Sequence, residues 1–119
     1  MDTTSLATKA STPRIAVPSQ GPNPGDEVDS RFGRCRWLLL HSSGGEWEAI
    51  PRDPDLLESG AGRDAANVLA RHGVTVLLAG KVGPKAMAAL QDAGIEVVEN
   101  MQGSCQEAFE TWHRSRGDA

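Results

Sequence analysis

Apolar and polar residues in the first half of the chain form three strand-like patterns. A β-branched run covers 14–18, a buried run covers 36–42 and, after a glycine-containing turn, an alternating run covers 46–50. The last two lie close enough in sequence to predict a hairpin over 36–50. Prolines and glycines between 19 and 34 exclude regular structure there, so the first strand is predicted to lead into a long loop.

Helix-like spacing of apolar residues alternates with strand-like runs in the second half. Helices are predicted at 62–73, 83–94 and 103–114, and a Ser-x-x-Glu capping box opens the last one. The run 74–80 is apolar almost throughout, which is typical of a strand covered on both faces, and 95–98 predicts a further short strand.

This order of elements predicts an α/β fold with a five-stranded mixed sheet and three helices. Right-handed crossovers make the strands that start at 14, 74 and 95 parallel, whereas the second strand runs antiparallel to the first. The expected strand order is therefore 3-2-1-4-5. It places a topological switch point between strands 1 and 4, where ligand crevices form.

Glycines and cationic residues collect on the loops that are predicted to meet at this switch point. The candidate site residues are Arg31, Phe32, Gly33, Arg34, Gly60, Gly62, Arg63, Gly80, Lys81, Gly83 and Lys85. Helix N-termini present unpaired N–H groups and positive dipole ends, so this combination suits a small anion. One such cation alone is typical of a solvated loop charge, but five of them on one face favour a site.

The motifs of common catalytic sites are incomplete in this chain. The segment GAGRDA has the glycines of a dinucleotide fingerprint without an adjoining strand or the later acidic residue, and GKVGPK lacks the Walker frame. The first strand carries no carboxylate for a two-metal nuclease. A non-enzymatic protein is therefore expected, with a small-anion or nucleotide-binding enzyme as a weaker alternative.

Soft metal ligands are few. The two cysteines form no CxxC pair, which argues against a zinc, redox or disulfide site. Cys105 lies on an apolar helix stripe, and His72 and His113 lie in predicted last helical turns, so all three are expected to be structural. His41 ends a strand away from the crevice. Cys35 directly follows the cationic loop, so it either reaches a ligand or packs as a small side chain.

Net charge and the chain ends narrow the range of partners. A formal charge of −4 over 119 residues argues against general nucleic-acid binding. No run reaches the roughly 18 apolar residues that span a bilayer, and the Ser- and Thr-rich start has no signal-peptide pattern. We expect a disordered tail at 1–13, one domain at 14–114 and a flexible end at 115–119, in a cytoplasmic protein without a nucleic-acid or membrane partner.

Several segments resemble one protein family: RIAVPSQG, VDSRFGR, GAGRDAANVLARHGVTVLLAGKVGPKAMAALQDAGIEV and the closing short helix. They are similar to the dinitrogenase iron-molybdenum cofactor biosynthesis family, which includes NifX, NifY, the C-terminal part of NifB and stand-alone proteins of the orange-protein type. The resemblance implies a ribonuclease H-like three-layer fold. It also implies a carrier or storage protein for an anionic metal-sulfur cluster, Mo-Fe-S or Mo-Cu-S, held mainly by charge and shape.

The function implied by the resemblance is a cluster carrier, with a partner protein for delivery or regulation. Cys35 and Arg36 stand where many relatives have small or apolar residues, so the family does not guarantee Cys35 as a metal ligand. The alternative is a regulatory or scaffold module that binds a partner protein through the Arg31-Phe32-Arg34 loop, with Phe32 as an aromatic anchor. Phe32 either takes that role or plugs the loop onto the sheet.

Overall fold

A computed structural model of the chain describes residues 14–42, 45–56 and 60–117. Its strands are β1 (Ile15–Ser19), β2 (Trp37–His41), β3 (Trp47–Pro51), β4 (Val76–Leu78) and β5 (Glu96–Val98). Its α-helices are α1 (Ala61–Arg71), α2 (Pro84–Asp92) and α3 (Cys105–Gly117), with short 3-10 helices at Phe32–Arg34 and Pro54–Leu56. The predicted tail at 1–13 lies outside the described residues.

The strands form one mixed sheet in the predicted order, β3-β2-β1-β4-β5. β2 pairs antiparallel with β1, Val17 lying opposite Leu39, and β3 completes the hairpin. β4 pairs parallel with β1, and β5 pairs parallel with β4. The switch point between β1 and β4 is therefore confirmed.

The sheet separates two apolar cores, because alternate residues of a strand point to opposite faces. The core under α1 and α2, called here the helix-pair core, contains Leu38, Leu40, Leu69, Leu77 and Leu90. The core under α3, called the α3 core, contains Val17, Leu39, Leu78, Cys105 and Trp112. The fold is therefore a three-layer α/β arrangement, as the family resemblance implies.

The last helix is longer than its sequence pattern predicts. α3 continues to Gly117, so 115–117 are helical rather than part of a flexible end. His113 consequently lies one turn inside the helix, and the prediction that it occupies the last turn is wrong. By contrast, α1 ends as predicted, with His72 at its C-cap and Gly73 at φ 72°. None of the helices within the described ranges is both long and apolar enough to cross a bilayer.

Candidate anion-binding site

The loop after β1 returns to the sheet through the 3-10 helix Phe32–Arg34. Asp29 starts this turn, because its Oδ1 accepts the N–H of Arg31 at 2.9 Å while its own N–H donates to Pro18 O at 2.9 Å. The N–H of Arg34 then donates to Arg31 O at 3.1 Å. The DSRFGR segment is thus a turn held by hydrogen bonds close to the end of β1.

The turn after β4 lies directly beside this loop. Arg31 and Lys81 form an isolated parallel bridge, and the N–H of Phe32 donates to Lys81 O at 3.4 Å. A Cβ built on Gly80 would lie 3.0 Å from Ser30 Cα, so a glycine favours this close approach. The loops that follow β1 and β4 therefore meet at the switch point.

The start of α1 packs against the same turn through glycines. A Cβ on Gly33 would lie 2.9 Å from the Cα and N of Gly62, and a Cβ on Gly62 would lie 2.8 Å from Ala86 Cβ in α2. Larger side chains would push these backbones apart, at a cost in stability. Gly33 and Gly62 thus hold the loop, α1 and α2 in close contact.

Arg52 joins these parts, although it is not among the site residues predicted from sequence. Its side chain is only 3% exposed. One guanidinium nitrogen donates to Gly33 O at 3.2 Å and to Cys35 O at 2.7 Å, and the other donates to Ala61 O at 3.1 Å and Asp64 Oδ2 at 3.2 Å. The sequence signal is weak: an arginine between two prolines in PRDP, directly after a strand.

The N-termini of α1 and α2 have no side-chain caps. Gly60 is the N-cap of α1 and adopts a left-handed conformation at φ 78°. Gly83 is the N-cap of α2, and Pro84 follows at the first helical position, where its missing N–H costs nothing. Both helix ends lie at the edge of the sheet where β1 and β4 finish, because each helix runs antiparallel to its neighbouring strand.

The N-terminus of α3 also lies at this edge, but the protein itself occupies its amides. Ser104 Oγ accepts the N–H of Glu107 at 3.0 Å, and Glu107 Oε1 accepts the N–H of Ser104 at 2.8 Å, which confirms the capping box. The N–H of Cys105 donates to Asp26 O at 2.9 Å, and the next amide donates to Pro24 O at 2.9 Å. The protein's own acceptors therefore occupy the first amides of α3, and this helix end is closed to a ligand.

Most of the predicted cations are available at the surface. Arg31, Arg63, Lys81 and Lys85 are exposed, and their side chains form no ion pair with another residue in the described ranges. Arg34 differs, because its guanidinium donates to Pro54 O at 3.2 Å. Unpaired cations on a chain of net charge −4 make this edge locally positive.

The predicted residues fall into two neighbouring groups. Gly60 and Arg63 face an open cleft of about 460 Å³ between α1 and α2, whereas Arg31 and Lys81 lie at the switch point. The residues lining the cleft are Gly60, Arg63, Asp64, Asn67, Ala89 and Asp92. Its two carboxylates make the cleft a poorer place for an anion than the edge formed by Arg31 and Lys81.

Phe32 points into the helix-pair core and is only 1% exposed. The ring is not available to a partner protein or to a ligand at the surface. The aromatic-anchor role predicted for Phe32 is therefore wrong, and the alternative, a plug that packs the loop onto the sheet, is confirmed. Only the backbone of Phe32 remains at the candidate site.

Cys35 is also buried, with 0% exposure. Burial raises the pKa of its thiol to about 11, and the nearby charge of Arg52 offsets only part of this effect. A protonated, enclosed thiol is a poor metal ligand, so the structure fits the alternative of a small packed side chain. In the part of the chain that the structure describes, no three His, Cys, Asp or Glu side chains are grouped to hold a metal ion.

The other soft side chains lie away from the switch point or inside the protein. His41 pairs with Ile15 at the opposite edge of the sheet, and its ring centroid lies 4.0 Å from that of Phe109. Cys105 is 0% exposed in the α3 core, as expected of a structural residue. His72 Nδ1 lies 2.8 Å from Val68 O at the end of α1.

Comparisons with known proteins agree with this architecture. The family model described as dinitrogenase iron-molybdenum cofactor matches residues 13–115. The apo form of the orange protein from Desulfovibrio gigas is 38% identical, with a TM-score of 0.83 over 87% of this chain and 88% of that chain. A putative NifB protein from Thermotoga is 29% identical, with a TM-score of 0.75 over 87% of this chain and 90% of that chain. No curated protein matches in sequence. The chain belongs to the dinitrogenase iron-molybdenum cofactor family.

Proposed function

We propose that this protein is a non-enzymatic carrier or storage protein for an anionic metal-sulfur cluster of the Mo-Fe-S or Mo-Cu-S type. The observation that carries the proposal is the bridge between Arg31 and Lys81, which holds two exposed cations side by side at the switch point. Membership of a family described by the iron-molybdenum cofactor supports a cargo of this class.

The chemistry of these side chains suits a sulfur-rich anion. The guanidinium of Arg31 offers planar N–H donors to the edge of a cluster, and the ammonium of Lys81 adds a compact charge. Nothing lies within 4 Å of a Cβ built on Gly83, so a ligand can approach the backbone of this turn closely there. Charge and backbone donors together would hold the cluster without a covalent bond.

Binding by charge and shape also agrees with the buried thiols. Cys35 and Cys105 are both enclosed, and burial raises the pKa of each thiol. Neither sulfur faces the switch point as a thiolate. A cluster held without thiolate bonds can be released intact, which is the property a carrier needs. A cytoplasmic location and a protein that donates or receives the cluster complete the proposal.

The test is a titration of the metal-free protein with tetrathiomolybdate, with and without Cu(I), followed by visible absorption. Wild type is expected to develop charge-transfer bands that saturate. Arg31→Ala and Lys81→Ala should each weaken binding by about tenfold, the factor expected from one lost charge-assisted hydrogen bond.

Arg71→Ala is the matched control. Arg71 is exposed in the last turn of α1, at the opposite end of the helix from the candidate site, so its removal changes net charge equally. Binding by this variant should equal that of wild type. Absence of bands with wild type, or equal weakening by all three variants, would refute a localised cluster site.

The partner-binding alternative has no comparable support. Its proposed anchor, Phe32, is buried in the helix-pair core.

A further inference from the structure

A carboxylate lies next to the exposed cations at the switch point, on a residue that the sequence patterns did not single out. Glu99 follows β5, and its Oε2 accepts the N–H of Val82 at 3.0 Å. Val82 lies between Lys81 and Gly83, the N-cap of α2. The amide held by Glu99 is therefore part of the turn that would meet an anionic ligand.

We propose that Glu99 is a built-in competitor for the cargo: its carboxylate occupies the Val82 amide in the empty site and is displaced when an anion binds. The inference rests on the proposed function, since it concerns regulation of that same site. Glu99 would thereby control the affinity of the site for anions and its preference for strongly charged ligands, because a weak anion cannot replace a carboxylate on this amide.

The surrounding contacts allow the side chain to move alone. The N–H of Asn100 donates to Gly80 O at 2.9 Å, and the N–H of Met101 donates to Ala79 O at 3.0 Å, so the backbone on the C-terminal side of Glu99 is fixed to the turn after β4. Glu99 itself is exposed, and Val82 is its one hydrogen-bond partner in the described part of the chain. A rotation of the Glu99 side chain is enough to open the amide.

The charge of Glu99 predicts how loss of its carboxylate should change the affinity for an anion. A carboxylate near Lys81 and the N-terminus of α2 stabilises the empty site, since negative charge is favourable at a helix N-terminus. The same negative charge repels an incoming anion. Loss of the carboxylate should therefore strengthen anion binding. If Glu99 only held the turn in shape, its removal would instead weaken anion binding.

The experiment compares tetrathiomolybdate binding, at about pH 7.5 and low salt, by wild type, Glu99→Gln and Glu99→Ala. Both variants should bind about tenfold more tightly than wild type, as expected when one charge-assisted hydrogen bond no longer competes. Glu46→Gln is the charge-matched control, because Glu46 precedes β3 at the opposite edge of the sheet and should leave binding unchanged.

Amide NMR of the ligand-free protein tests the contact without any cargo. The Val82 N–H resonance of wild type should differ from that of Glu99→Ala, in which no side chain at this position accepts the N–H. Addition of tetrathiomolybdate to wild type at neutral pH should shift the same resonance.

The outcomes separate the two proposals. Binding by wild type with unchanged or weaker affinity in both Glu99 variants would overturn the competitor role and leave the cluster site intact. A Val82 resonance at the same position in wild type and in Glu99→Ala would overturn the competitor role as well. Failure of wild type and both Glu99 variants to bind tetrathiomolybdate, with or without Cu(I), would overturn both proposals.

Discussion

The backbones of Arg31 and Lys81 lie opposite each other in a parallel bridge beyond the end of β4. Neighbouring strands are separated by about 4.8 Å, so the two exposed side chains start from adjacent points on the same edge. Like charges placed opposite each other in a sheet repel, and an anion between them relieves that repulsion. The fold therefore places two like charges next to each other in an arrangement that favours an anion between them.

Salt should weaken ligand binding, because exposed charges are screened within about 8 Å at physiological ionic strength. Raising the salt concentration from about 0.05 to 0.5 M is expected to reduce tetrathiomolybdate affinity in wild type more steeply than in Arg31→Ala. Absorption titrations at four salt concentrations measure the slope. Identical slopes for wild type, Arg31→Ala and Lys81→Ala would show that these cations do not contact the ligand.

Gly33→Ala should lower the free energy of unfolding by about 1–3 kcal/mol, because the added Cβ would meet the backbone of Gly62. The clearance of 2.9 Å is too small for a methyl group. Gly25→Ala is the matched control, since nothing lies within 4 Å of a Cβ there. Urea denaturation compares the two, and equal midpoints would show that Gly33 tolerates a side chain.

Arg52→Ala should destabilise the protein by about 2–4 kcal/mol, since it removes several buried hydrogen bonds at once. Gly33 and Ala61 would each lose a donor to their carbonyl oxygens. Arg36→Ala, which removes an exposed arginine paired with Asp53 and Asp55, should destabilise the protein much less, because exposed ion pairs contribute little to stability. The prediction fails if chemical denaturation finds the two arginine variants equally stable.

Cys35 should resist alkylation in the native protein. With a pKa of about 11 against an ordinary value of 9.0, its thiolate fraction at pH 8 is about a hundredfold lower, and the sulfur is enclosed. Mass spectrometry after iodoacetamide treatment should find Cys35 unmodified in buffer and modified in guanidinium chloride. Because folding raises this pKa, the contribution of Cys35 to stability is lost as the pH rises above about 9. Rapid alkylation of Cys35 in the native protein would contradict this prediction and would show that the thiol is accessible enough to bind a metal.

Stability should fall as the pH drops below about 6.5, the ordinary pKa of histidine, because folding lowers the pKa of His41. Burial of the ring is the main cause, and the charge of His113 adds to it. The unfolded chain therefore binds this proton more readily than the folded one, and acid favours unfolding.

His113→Gln should reduce this pH dependence, and His41→Phe should remove the contribution of His41. Denaturation midpoints between pH 5 and 8 provide the measurement. A dependence that is unchanged in His41→Phe would assign it to other groups.

The fold was predictable from sequence because its signals are local. Apolar runs, glycines at helix ends and the Ser104–Glu107 capping box each act within a few residues, and handedness then orders the strands. The details of the site depend on contacts between distant segments. The burial of Arg52 requires carbonyl oxygens from two other elements, and no local pattern reports such an arrangement.

The inward turn of Phe32 follows from the 3-10 helix at Phe32–Arg34, which is too short to leave a periodic signal. The closed N-terminus of α3 likewise depends on Asp26 and Pro24, far away in the chain. Burial and amide occupancy are tertiary properties. The sequence therefore predicts a site at the switch point but does not tell which of the groups there remain open.

Two tryptophans in one of the two cores can serve as internal fluorescent reporters of cargo binding. Trp47 and Trp112 both pack in the α3 core, on the face of the sheet away from Phe32. β1 spans its five residues in about 17 Å, so a coloured cargo at the switch point would lie within the range of resonance energy transfer from both indoles. Loss of tryptophan emission would then follow cargo loading and unloading in real time, without any attached dye.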